Sequence, residues 1–316
     1  MITASASAKV ILFGEHAVVY KQPAIAVPIS SLRTTATASS NQQPQRTGLW
    51  INTFDLDEEF QVDFEPREDE HALAVAARLV LHELDVSPPD VTIAIESAIP
   101  LASGLGSGTA ATTCLARGLI SVLGLTLNHE RLNEIVYEIE KIHHGTPSGI
   151  DNTVIVYERP VFFVRGHPIE ILSIGRSFTL IVADTGKSAS TKVAVGDVRK
   201  LFENQPEQIQ PIFDDIGQIS RAAKTAIVSG EIETLGPLMV QNHSYLRKLA
   251  VSSLMLDKLV NVAMEAGALG AKLTGGGRGG NMIALVESDT IESVRRALLK
   301  AGAVRAVVST IEASTA

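Results

Sequence analysis

The sequence predicts an α+β fold in two domains, 1–175 and 176–316, on three observations. The chain has 316 residues, enough for two domains and a large buried core. Its first half carries short β-branched runs broken by turn residues, together with a glycine-rich turn that feeds an amphipathic run. Its second half shows helical periodicity over 191–268. It then closes in the order helix, strand, glycine loop, strand, helix, strand, the pattern of a sheet covered on one face by helices.

Taken in order, residues 9–13 (Lys-Val-Ile-Leu-Phe) read as a strand stopped by Gly14, and residues 24–29 as another. Between them, Glu15 and His16 place two ionisable groups in an otherwise apolar connection. A binding pair and a core pair satisfied by each other are both open at this point. Residues 30–64 alternate Thr, Val and polar residues, with breaks at 41–46 and 55–58, which predicts an antiparallel meander. Ala72, Val75, Ala76, Leu79, Val80 and Leu84 mark an amphipathic helix, and residues 91–95 a strand.

That strand delivers the segment Pro100-Leu101-Ala102-Ser103-Gly104-Leu105-Gly106-Ser107-Gly108-Thr109, after which Ala111, Leu115, Gly118, Leu119 and Val122 form one face of a helix starting near Ser107. The first amides of a helix have no intrahelical acceptor and lie at the positive end of its dipole, so loop and helix start together suit an anion such as phosphate. Tight packing is the plainer account of such a turn. The loop lacks the Gly-Lys-Ser/Thr ending of a P-loop, and Thr109 stands where a dinucleotide fingerprint needs its third glycine.

A second helix is expected over 130–144, with Leu132, Ile135, Val136, Ile139 and Ile142 on one face and Gly145 as its C′ residue. Glu140 near its end and Asp151 after the Pro147-Ser148-Gly149 turn are two carboxylates on one connection, a pattern that suits a metal ligand plus a base. Asp151 as a plain helix N-cap is the alternative. Strands are expected at 154–157, 161–164 and 178–183. In the closing portion, helices are expected at 256–265 and 290–301 and strands at 268–273, 282–286 and 304–311, with a glycine loop at 275–280.

The net charge of −8 argues against a nucleic-acid surface, which draws its affinity from clustered Lys and Arg. Cys114 is the single cysteine, so no intrachain disulfide forms; a reducing compartment and a small core residue follow. Residues 1–9 lack the basic and apolar pattern of a signal peptide, and no apolar run is long enough to span a bilayer. A cytoplasmic protein without membrane partners is the expectation.

The order of these motifs resembles the kinases of galactose, homoserine, mevalonate and phosphomevalonate, the GHMP kinase superfamily, nearly end to end. The three stretches that carry the resemblance are residues 9–20, residues 100–111, and residues 272–280 (Lys-Leu-Thr-Gly-Gly-Gly-Arg-Gly-Gly). The continuation Gly14-Glu15-His16-Ala17-Val18-Val19 and the pairing of Glu140 with the 147–151 turn are similar to the mevalonate-phosphorylating branch. The resemblance implies an N-terminal ribosomal-protein-S5-like domain, a C-terminal ferredoxin-like domain, and mevalonate and ATP as partners. A homodimer is compatible with it.

It also implies roles for residues. Pro100, Ser103, Gly104, Leu105, Gly106, Ser107, Gly108 and Thr109 would hold the ATP phosphates, and Glu140 and Ser107 would hold Mg²⁺. Asp151 would accept the proton of the C5 hydroxyl, with Lys9 keeping it ionised and stabilising the transferred charge. Glu15, His16, Thr274 and Gly275 would contact the acceptor. Three departures stand out. Ser7-Ala8 replaces the usual Pro-Gly before the lysine, Gly108 stands where the second motif has a serine, and Arg278 where the third has glycine. The metal's further ligand is thus open among water, Ser107 and Thr109, and Arg278 between a phosphate contact and a solvent-facing side chain. Another acceptor (phosphomevalonate, a sugar or homoserine) and a non-catalytic ligand-binding member are the alternatives; the presence of both Lys9 and Asp151 argues against the latter.

Overall fold

The computed structural model describes residues 1–41, 46–63, 65, 70–101, 103–144 and 147–314. Ala102 and the proposed C′ residue Gly145 lie outside the described residues, as does most of the expected break at 41–46. The fold is α+β, and the chain divides into two compact units that interleave along the sequence. One is Met1–Ala8, Leu32–Leu101 and Gly106–Glu158; the other is Lys9–Ser31, Ala102–Leu105 and Arg159–Ala316.

The first unit holds parts of β1 (Ile2–Phe13) and β2 (Ala24–Ser40), then β3 (Trp50–Thr53), β4 (Glu58–Gln61), α1 (Ala72–Glu83), β5 (Val91–Ser97), α2 (Ser107–Val122), α3 (His129–His144) and α4 (Ile150–Tyr157). The expected meander is not formed. β5 lies between β2 and β3, antiparallel to β2 and parallel to β3, and the hairpin within 30–64 is that of β3 with β4. The polar–apolar alternation that suggests a meander reports a sheet with one buried face, and gives no information on strand order. α2 is buried on more sides than its predicted stripe, through Ala110, Thr113, Cys114, Ala116 and Ile120 as well as Leu115 and Leu119. Cys114 is one of these core positions, and burial pushes its thiol up to about 12.

Residues 154–157 are helical where the sequence pattern predicts a strand. Val154, Ile155 and Val156 are all buried, and a short, wholly apolar run has no polar face to reveal its period. α4 is capped by Gly149 at φ +88°, so Asp151 is its second residue and the N-cap alternative does not hold.

The second unit contains the remaining halves of β1 and β2, a 3₁₀ turn at Ala17–Tyr20, and then β6 (Val161–Phe163), β7 (Glu170–Ile171), β8 (Phe178–Asp184), α5 (Thr191–Asn204), α6 (Pro206–Ser229), α7 (Leu235–Lys248), α8 (Leu254–Glu265), β9 (Gly270–Leu273), β10 (Asn281–Val286), α9 (Ile291–Ala301) and β11 (Arg305–Ile311). β11-β8-β10-β9 form an antiparallel sheet. α7 and α8 pack on its β9 side and α9 on β11. Ile181, Phe213, Leu246, Leu259, Leu273 and Leu298 belong to its core. Among the described residues, no helix is long and apolar enough to cross a membrane.

Candidate active site

The predicted site residues fall in both units, and each set has its own local geometry. In the first unit, Gly106 at φ +79° is the N-cap of α2, which begins at Ser107 as expected. The first intrahelical bond runs from the Ala110 amide to the Gly106 carbonyl at 2.9 Å, so the amides of Ser107, Gly108 and Thr109 precede the ladder and are available to an anion. A Cβ on Gly108 would meet no atom within 4 Å, which leaves open space at the helix head.

Thr109 donates its hydroxyl to Glu140 Oε1 at 3.0 Å, and both residues are buried. This bond joins the start of α2 to the end of α3. It places a carboxylate and a hydroxyl together, an all-oxygen set of the kind that suits Mg²⁺. Among the described residues, no group of three or more His, Cys, Asp or Glu side chains is arranged to hold a metal ion. One carboxylate completed by substrate oxygens is the arrangement that Mg²⁺ commonly adopts with phosphates. Asp151 is half-buried in the first turn of α4, and Pro100 precedes the loop.

In the second unit, motifs at opposite ends of the sequence meet. Thr274 accepts the Ile11 amide at 3.1 Å and donates to the Ile11 carbonyl at 2.8 Å, which ties the third glycine loop to β1. His16 Nε2 lies 3.1 Å from the Gly276 carbonyl. A carbonyl only accepts, so the ring proton is on Nε2 and Nδ1 is a bare acceptor, buried and without a hydrogen-bond partner. Burial holds the His16 pKa down to about 4, against the opposing Gly276 contact and with a further lowering from the Arg278 charge. His16 itself sits at φ +62°, beside Gly14, where a Cβ would fall 2.4 Å from the Pro23 carbonyl oxygen.

Glu15 does not pair with His16. It pairs with Lys272, a fully buried lysine of β9 that also donates to the Leu273 carbonyl at 2.7 Å. Burial pushes the Glu15 carboxyl up and the Lys272 ammonium down, and their contact opposes both shifts. Lys9, buried, adds a smaller lowering to Glu15, and its amide donates to the Leu105 carbonyl at 3.0 Å. Asn281 donates to the Ser103 carbonyl at 2.8 Å, so residues 103–105 are pinned to β1 and β10. Ser103, Gly104, Thr274, Ala189, Thr191 and the glycines 276, 277, 279 and 280 line one small pocket. Gly275, at φ +75°, has open space where a Cβ would be.

Sequence reasoning missed Lys272, Asn281 and His243. His243 accepts the Leu273 amide on Nδ1 at 3.3 Å and faces Asp257 Oδ1 through Nε2 at 3.2 Å, with its pKa lowered to about 4 by burial. The one available signal was Lys272, a charge in a run whose neighbours Gly270, Ala271 and Leu273 are all apolar. Arg278 does not project freely into solvent; its guanidinium pairs with Asp197 at 2.6 Å.

In the first unit, open amides at a helix head with a carboxylate and a hydroxyl beside them suit a phosphate group, and in the second a glycine loop closes on the Gly-Glu-His turn. Residues 71–159 match the GHMP kinases N terminal domain and residues 223–304 the GHMP kinases C terminal. A mevalonate kinase of Pyrococcus furiosus is 38% identical over 90% of this chain and 89% of its own, and one of Thermococcus gammatolerans 36% over 90% and 89%. The solved L. major mevalonate kinase in complex with R-mevalonate superposes with a TM-score of 0.86 at 29% identity, covering 100% of this chain and 97% of that one. The chain therefore belongs to the GHMP kinases, and within them to the mevalonate kinase family.

Proposed function

We propose that the chain transfers the γ-phosphoryl group of ATP to the C5 hydroxyl of (R)-mevalonate, giving 5-phosphomevalonate and ADP as a step of the mevalonate route to isoprenoids. The observation that carries this reading is kinship with mevalonate kinases along both family domains, in a chain whose Gly-Glu-His turn is held against its third glycine loop.

In this reading, the loop amides and the first turn of α2 bind the phosphates, with Pro100, Ser103, Gly104 and Leu105 shaping the approach to Gly106–Thr109. Mg²⁺ neutralises phosphate charge when bound, and Glu140, with Ser107 or Thr109 beside it, is the group that holds it. Thr109 is favoured over Ser107 because its hydroxyl already touches the Glu140 carboxylate. Asp151 accepts the proton of the attacking hydroxyl, and Lys9 offsets the negative charge of the transferred group. The neutral His16 ring offers Nδ1 to a substrate hydroxyl, Glu15 offers its second oxygen, and Thr274 and Gly275 complete the acceptor wall. We further propose that the family's two domains part at 175/176, that the enzyme works in the cytoplasm, and that it is a homodimer.

Release of ADP, measured by a coupled assay over mevalonate, phosphomevalonate, galactose and homoserine, tests the acceptor. Turnover with mevalonate alone is expected; turnover of another acceptor with none of mevalonate overturns the reading. For the metal, Glu140→Gln is expected to raise the Mg²⁺ concentration needed for half-maximal rate, and an unchanged requirement would reassign the ligand.

A further inference from the structure

The third glycine loop contains one residue whose backbone conformation its own side chain disfavours. Arg278 is at φ +61°, in the left-handed region that glycine enters freely and a residue with a Cβ does not. Three contacts hold it there. Its amide donates to the Val251 carbonyl at 2.7 Å, its Nη1 to Asp197 Oδ2 at 2.6 Å, and its Nε to the Ala250 carbonyl at 3.4 Å. Ala250 is itself left-handed, at φ +57°, and a Cβ on the neighbouring Gly277 would lie 2.0 Å from the same Val251 oxygen. Loop and α7–α8 connection are thus fitted backbone to backbone.

Asp197 belongs to α5, whose first residue, Thr191, lines the pocket opposite Gly276; a Cβ on Gly276 would fall 2.7 Å from Thr191 Oγ1. Asp197 lies six positions beyond Thr191 along α5, roughly 9 Å along the axis. The arginine therefore joins the loop to α5 away from the pocket while leaving the pocket wall itself free of charge pairing. Asp197 is also 3.4 Å from Lys200, and the Arg278 hydrogen bond is the main reason its carboxyl is held below the usual carboxylate range. The Gly276 carbonyl is in turn the partner of His16, so a shift of the loop shifts the ring that faces the acceptor.

We propose that Arg278 is a positioning residue: by clamping the third glycine loop to Asp197 of α5 and to the Val251 carbonyl, it sets the pocket width and the His16 orientation at which the acceptor is gripped. This rests on the acceptor-phosphorylating reading given above. It assigns Arg278 no contact with either substrate.

Four variants test it: Arg278→Gly, Arg278→Lys, Asp197→Asn, and the Arg278→Gly/Asp197→Asn pair. Arg278→Gly suits the backbone, so folding is retained. It is expected to raise the KM for mevalonate about 5- to 20-fold with kcat changed less than about 3-fold, the pattern of lost binding shared by ground and transition states. Asp197→Asn should raise it comparably, Arg278→Lys should lie between, and the pair should be no worse than Arg278→Gly alone. In the ligand-free protein, hydrogen exchange at the Arg278 and Gly280 amides should quicken in Arg278→Gly and Asp197→Asn. A raised KM in Arg278→Gly with wild-type behaviour of Asp197→Asn would overturn the clamp in favour of direct ligand contact. A lowered melting temperature with both KM values unchanged would overturn it in favour of a purely structural pair. Should the unmodified enzyme fail to phosphorylate mevalonate, the functional reading falls, and unchanged exchange in the variants would independently remove the clamp.

Discussion

In the loop leading into α2 and its first turn, a Cβ placed on Gly104 or Gly108 meets no atom within 4 Å, whereas in the loop between β9 and β10 one on Gly277 falls 2.0 Å from the Val251 oxygen and one on Gly279 2.5 Å from the Lys187 oxygen. The first loop needs glycine for left-handed backbone, at Gly104 and Gly106, both at φ +79°, and keeps the space around it open. The third loop is left-handed too, at Gly275, Gly277 and Gly280, and at Gly277 and Gly279 neighbouring backbone also occupies the place of a side chain. Similar glycine content therefore serves two ends: room for a ligand in one case, and close packing of a wall in the other. Charge follows the same division. Glu140 and Asp151 of the first unit lie near helix ends, while Glu15 of the second pairs with the buried Lys272.

If the open side carries the chemistry, the largest loss should come from the half-buried Asp151 in the first turn of α4. Asp151→Asn is expected to lower turnover by about 10² to 10⁴ while KM for ATP and the melting temperature hardly change. A mutant with a lower melting point and wild-type turnover would sink the catalytic assignment. Lys9→Met should also slow transfer. Combined with Asp151→Asn it should lose less than the product of the single losses, because groups serving one transferred charge are not additive.

On the packed side, Gly277→Ala is expected to cost about 2 kcal/mol or more, since it combines left-handed backbone with an overlap on a carbonyl. Denaturant midpoints would show it, and a midpoint equal to that of the unmodified protein would mean the wall yields. Acid should reveal the same region. His16 and His243 both flank this loop, and both have pKa values lowered to about 4 from 6.5. Above pH 6.5 they are neutral whether folded or not. Between pH 6.5 and 4 the unfolded chain binds protons that the folded rings refuse, so stability falls as pH falls, by on the order of 2 kcal/mol per ring at pH 4.5. Unfolding curves at pH 7.5 and 4.5 measure this, and His243→Gln should flatten the difference. The smallest effect belongs to the head of α2: Gly108→Ala meets nothing there, so it should stabilise by about 0.5 to 1 kcal/mol. A simultaneous rise in KM for ATP would identify that open space as the nucleotide's.

Much of this is legible in the sequence where local chemistry decides the outcome. The start of α2 at Ser107 is readable from a glycine-rich turn followed by helical periodicity, and the closing elements from α8 to β11 from period and punctuation. What stays hidden depends on partners distant in sequence. No local pattern can place β5 between β2 and β3, or tell that Glu15 pairs with a lysine rather than with the adjacent histidine. Residues 154–157 mislead for a different reason, because Val154, Ile155 and Val156 are all buried and such a run carries no phase. Arg278 stands out as a departure from glycine, but its use becomes visible only when Asp197 is brought beside it.

The joining of Thr274 to Ile11 and of Lys272 to Glu15 spans 263 and 257 residues of chain. During synthesis, the Gly-Glu-His turn is made early and its partners late. At about 5 to 20 residues per second, the interval is roughly 10 to 50 s. Through that time Glu15 has neither its lysine nor its burial, and the segment Lys9–Ser31 cannot complete the unit to which it belongs. The Gly-Glu-His turn is thus translated well before the residues it packs against, and its own packing waits for them.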